Sequence, residues 1–346
     1  MIKPRLLTAL IFALCALIFS SAIADESPVA PDQRRGVEQT YLTFPEWFLV
    51  HSPAEYAVLV GTRPATDFPF LRHIGQLWSS YEAVTREQLR HDYPFNPGYH
   101  AMILVIATST SVEYAIRAAY ENTIGRLSFA LGGQQLTAED RYGAAVAQDY
   151  VDFIRQQPWY LYHFMAKLEG LWRDVPLHGP GLIRKLERRY ALTTEYLIKA
   201  AYGKIIEKAT RATYEPALMT TQVVLDKVPP LASTDTRINI VKVLPDGRAV
   251  ADLPRYHDFR IAATKLATQG VNITDIAGNT SEILVSVWAA DDASQQMGHA
   301  RLLFTQPLIT RPGHSRLGLV VPVTELSNFL LHAPEHGIIV EHVYDY

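Results

Sequence analysis

Two glutamates recur in matching surroundings. Glu113-Tyr114-x-Ile116-Arg117-Ala118-Ala119-Tyr120-x-x-x-Ile124 returns as Glu195-Tyr196-x-Ile198-Lys199-Ala200-Ala201-Tyr202-x-x-x-Ile206, seven of twelve positions being identical. On a helix, Glu113 shares a face with Ile106, Ser109, Ile116, Tyr120 and Ile124. Glu195 shares one with Ala191, Ile198, Tyr202 and Ile206. Both carboxylates then stand at the edge of an apolar stripe, where a pair brought together could do acid–base work or hold a metal. The same spacing has a plainer use. Each Glu is four residues ahead of Arg117 or Lys199, an ion pair that supports a helix by a few tenths of a kcal/mol. Tyr120 and Tyr202 read as core aromatics or as walls of a ligand site.

A second cluster is His332-Ala-Pro-Glu335-His336. It resembles the H-x-x-E-H string of certain zinc proteases, in which one helix face presents two His and a Glu base. Pro334 and the following Gly337 interrupt a helix here, so the plainer expectation is a polar helix end. No metal and no cofactor is expected. A third cluster, Tyr41 to Pro53, holds Phe44, Glu46, Trp47, Phe48 and His51. It reads as a helix laying aromatics on the core. As a pocket wall it would use Glu46, Trp47 and His51 to hold a small apolar ligand. A fourth, Leu182 to Arg211, carries eight basic residues against three acids. Its apolar side (Leu182, Leu186, Tyr190, Leu197, Ala201, Ile205) is expected to pack, leaving the basic side solvated. Lying on an anionic membrane is the alternative. There is no Gly-x-Ser-x-Gly elbow, phosphate-cradling Gly loop or dinucleotide fingerprint.

These residues need elements to position them. Residues 32–212 read as helices and 217–346 as strands with two helices, the break falling near Tyr214, Glu215 and Pro216. The helical half reads as a duplication with a pseudo-twofold axis, built from 55–124 and 149–206. Asp92-x-Pro94 and Asp174-x-Pro176 each stand 21 residues before their Glu. Glu55-Tyr56, Pro64 and Leu77-Trp78 return as Asp149-Tyr150, Pro158 and Leu171-Trp172. The first copy carries Ser79 to Arg90 as an insertion. Thr137-Ala-Glu-Asp140 reads as a capping box. Pro245-Asp246-Gly247 reads as a hairpin turn between two strands. The fold class is therefore α+β: a duplicated helical domain, then a mixed, mostly antiparallel sheet with helices on one face.

The start, with Lys3, Arg5, an apolar run to Phe19 and Ala22-x-Ala24, reads as a signal peptide cleaved after Ala24. That places the protein in the periplasm or outside the cell; an uncleaved anchor is the alternative. Cleavage removes Cys15, the only cysteine, and takes the formal charge from −3 to −5. Thiolate chemistry and Cys-bound metal are then excluded, and the acidic balance argues against nucleic acid as a partner. No later segment reads as long and apolar enough to span; Ala101 to Val112 reads as a buried core helix. The preferred function is non-catalytic binding of an apolar or amphipathic ligand at or near a membrane surface. The alternatives are a metal- or carboxylate-dependent hydrolase and a structural protein that binds a partner.

Overall fold

The computed structural model describes residues 27–213, 218–230, 237–291 and 300–345. The signal-peptide residues, Cys15 and the break at Tyr214 to Pro216 lie outside them, as does the side chain of Arg211. The fold is α+β, a helical part followed by two antiparallel sheets.

Helix α1 (Glu38–Val60) has no single apolar stripe and most of its side chains are buried, as in a helix enclosed between other layers. It is followed by α2 (Phe70–Arg90), α3 (Pro97–Tyr120) and α4 (Arg126–Leu131). A π-helical turn at Glu121–Gly125 joins α3 to α4, making one helix over Pro97–Leu131. Asn96 caps α3 by accepting from the Tyr99 amide, with Pro97 at the first position. Then come α5 (Ala138–Ile154), α6 (Phe164–Asp174) and α7 (Leu182–Thr213). The capping box at Thr137 is present, with Asp140 reaching back to the Thr137 amide.

Strands β1 (Thr220–Leu225), β2 (Asn239–Val243), β3 (Ala249–Pro254) and β4 (Ile273–Ile276) form one sheet in the order β2-β3-β1-β4. The hairpin read at Pro245–Gly247 joins β2 to β3. Strands β5 (Glu282–Ala290), β6 (Arg301–Pro307), β7 (His314–Pro322) and β8 (Ile339–Val343) form the other, in the order β6-β7-β5-β8. Helices α8 (His257–Thr268) and α9 (Leu326–His332) complete the part. The single sheet expected from the sequence is thus two. One face of the second sheet packs with the first sheet, α8 and α9 in a common apolar core. Its other face receives Tyr41, Phe44 and Trp47 of α1, beside Leu284, Val320 and Tyr344. The ring of Phe304 lies across Gly318, where an added Cβ would come within 2.2 Å of it.

Two further expectations are overturned. Ala101–Val112 is not a buried core helix. It belongs to a helix long and apolar enough, by length and composition, to cross a membrane, and only 28% of its apolar window is buried. The second concerns α7, whose N-terminal turns have the reverse of the polarity expected, although Leu192 and Tyr196 farther along do pack inward and Lys204 and Lys208 face water. Arg184, Lys185, Arg188 and Arg189 are buried, while Leu182, Ile183, Leu186, Tyr190, Leu197, Ile198 and Ile205 are exposed. The stripe was legible but not its direction. The reason is that acids wait inside, Glu187 from α7 itself and the rest from other elements. Arg184 meets Asp140 at 2.7 Å and Glu187 at 3.0 Å; Lys185 and Arg189 meet Glu139; Arg188 meets Glu121. Burying a cation is tolerable only with such partners, and here every one of the four has them.

Candidate functional site

The repeated glutamates do meet. Glu113 and Glu195 lie in a four-membered ion cluster where α3 and α7 pass each other. Arg117 reaches Glu113 (3.5 Å) and Glu195 (3.6 Å), and Lys199 reaches Glu195 (2.7 Å) and Glu113 (3.5 Å). Each cation thus serves its own helix and the opposite one. Glu195 is held down at about 2 despite partial burial, because Arg117 and Lys199 outweigh desolvation. A carboxylate that acidic is a poor proton acceptor near neutrality. The cluster has no net charge and its four side chains are 18–42% exposed.

The surroundings of the cluster repeat as well. Tyr56, Phe68 and Phe70 form an edge-on aromatic group, and Tyr150, Tyr162 and Phe164 form another. The paired ring distances are 5.1 and 5.2 Å, then 4.8 and 4.8 Å. Arg117 lies over Tyr56 and Phe70, and Lys199 over Tyr150 and Phe164. Trp78 donates to the Ser111 hydroxyl at 2.9 Å, and Trp172 to the Thr193 hydroxyl at 3.0 Å. The region read as an insertion is extra helix: α2 has 21 residues where α6 has 11.

The outward surface over this cluster is apolar. Along the helix Pro97–Leu131, Val105, Val112, Ile116, Ile124 and Leu127 are exposed, Ile116 by 65%. On α7, Tyr190, Leu197, Ile198 and Ile205 are exposed, Ile198 by 62%. Apart from the neutral cluster, exposed charge first reappears at Arg126 on one side and Lys204 on the other. Soluble monomers rarely expose this many large apolar side chains on neighbouring helices. Tyr120 is half-buried under Arg188 (5.9 Å). Tyr202, expected in the core, is 40% exposed and stacks on Trp159.

The aromatic stretch of α1 is packed rather than open. His51 is buried: its Nδ1 donates to Glu341 (3.2 Å) and its Nε2 accepts from the Tyr344 hydroxyl (3.0 Å). Trp47 stacks on His342 at 3.6 Å. Glu46 is half-buried and accepts from the Tyr99 hydroxyl at 2.9 Å, and burial raises its pKa. His332, Glu335 and His336 sit exposed at the end of α9 and on the 3₁₀ turn Ala333–His336, which Gly337 closes with φ of 70°. The His332 Nδ1 donates to its own helix, at the Asn328 carbonyl. Among the described residues no three His, Cys, Asp or Glu side chains are grouped to hold a metal ion.

One polar network escaped the sequence reading. Arg316 on β7 grips Glu341 through two nitrogens (2.6 and 2.8 Å) and Glu55 through a third (2.8 Å). His73 lies 3.9 Å from Glu55, and its Nδ1 shares a hydrogen bond with Ser52, which also bonds the Tyr114 hydroxyl. Serine, histidine and glutamate are thus adjacent, but all are buried. A cavity nearby, lined by Tyr56, Val60, Gly143, Ala144 and Leu192, measures about 20 Å³. That is room for one water, against roughly 300–1,000 Å³ for small-molecule sites. Comparison with protein families, characterised proteins and solved structures gives no match.

Proposed function

We propose that this is an exported envelope protein whose helical part binds apolar matter at a membrane surface without catalysis. The observation that carries the reading is the reversed polarity of α7, together with the exposed face of α3 beside it. The inward cations are accounted for by their acid partners, but water gives no reason to turn seven apolar side chains outward; an apolar contact does. Export rests on the N-terminal residues alone. We also infer that the helical part arose by duplication about a pseudo-twofold axis through the ion cluster. The reciprocal pairs and repeated aromatic groups support this, since a twofold contact is one in which each partner does to the other what is done to it.

The test is flotation with phospholipid vesicles, using the chain from Asp25 onward so that the leader cannot contribute. The wild-type chain is expected to float. Ile116→Glu with Ile198→Glu places two charges on the exposed face, where no packing is lost, and should lower vesicle binding about a hundredfold. A double variant that binds as well as wild type, with unchanged unfolding, would refute the reading.

A further inference from the structure

Resting on that reading, we propose that α3–α4 and α7 lie side by side in one leaflet of a bilayer, half-immersed and parallel to its plane, and do not cross it. The pairs Glu113–Lys199 and Arg117–Glu195, and farther along Glu121–Arg188, show the two helices running antiparallel. A twofold axis relating two antiparallel helices would stand perpendicular to their common plane, and so would turn both exposed faces to the same side. The 35 residues of the first helix extend about 50 Å, and the 32 of α7 nearly as far. Lipid covers a strip of that length more readily than a protein partner of ordinary footprint does.

The chemistry of the strip narrows the occupant further. A protein interface offers hydrogen bonds at its rim and anchors at its centre. Here the exposed hydroxyls of Ser109 and Thr123 are committed to their own helix, to the Ile106 and Ala119 carbonyls. That is how hydroxyls are satisfied in hydrocarbon. Crossing the bilayer is opposed by the flanks. Arg72, Glu82 and Arg86 on α2, Arg141 and Asp152 on α5, and Glu169 and Arg173 on α6 are all exposed. A spanning pose would drag them into hydrocarbon, whereas a helix layer lying flat buries one face by about 5–10 Å and leaves them in water.

The test places a fluorescent label at single cysteines in the chain from Asp25 onward, which has no cysteine of its own: Ile116→Cys, Ile198→Cys and, as a control, Glu169→Cys. Vesicles carry quenchers at known depths along the acyl chain. Labels at 116 and 198 should both be quenched from the upper acyl region, to equal degree, while the label at 169 answers only to a water-soluble quencher. Protein that floats while labels 116 and 198 stay in water would overturn this placement and leave the membrane reading standing. Quenching at the bilayer centre would show crossing. Label-to-label transfer between copies, without lipid contact, would show a second chain on this face. Failure to float would remove the reading and the placement together.

Discussion

Replacing Arg316 by alanine is expected to cost about 3–5 kcal/mol of unfolding free energy. Its side chain is almost wholly buried and holds two carboxylates that come from α1 and β8. The two do not stand equally. Gripped through two nitrogens, Glu341 lies well below the usual carboxylate range; at Glu55, held through one, burial wins and the pKa rises. Alanine would leave both carboxylates buried with no cation between them, His51 being neutral through burial. Urea unfolding measures the loss. Arg316→Met combined with Glu55→Gln and Glu341→Gln should recover much of it, because no charge is then stranded. A loss under about 1 kcal/mol for the alanine variant would mean that the network is not buried as described.

Acidification is the second large effect. Burial, with Arg316 and Arg72 adding to it, takes His73 down to about 3 from 6.5. The folded protein therefore refuses a proton that the unfolded chain accepts. Stability is complete above pH 6.5 and is lost as pH falls toward 3, His73 alone being worth about 4 kcal/mol over that range. His51, His100 and His342 are shifted down by burial and act in the same sense. Glu195 adds a further loss as pH falls from 4.5 toward its folded value of about 2. Denaturation curves at steps of pH should show stability dropping from pH 6.5 downward, and His73→Phe should flatten the slope. Glu46 and Glu55, raised by burial, act in the opposite sense, so the decisive result is the comparison: a slope that His73→Phe leaves unchanged would contradict the burial of this ring.

What the sequence made legible was local. The capping box at Thr137, the hairpin at Pro245–Gly247, the aromatic stretch of α1 and the repeated glutamate block are each a few residues long. Their physics is contained in those residues. What was illegible depends on partners far along the chain. A stripe of Leu, Ile and Tyr on α7 looks the same whether it faces core or lipid. Only Asp140, Glu139 and Glu121, arriving from other helices, decide that the arginines turn inward. Glu55 lies 261 residues before Arg316, and no spacing could have paired them. That the strands form two sheets was missed in part because β1 was not read as a strand; paired with β3 and β4, it holds the first sheet together.

The exposed faces of α3 and α7 carry the whole functional reading, and they are apolar rather than charged. Flotation of the chain from Asp25 with uncharged phosphatidylcholine vesicles in molar salt therefore tests it most directly, since salt screens charge and leaves apolar contact intact. The protein should float as fully as it does at low salt. Protein that stays at the bottom of the gradient, or releases from vesicles as salt rises, would show that these helices do not seat in lipid.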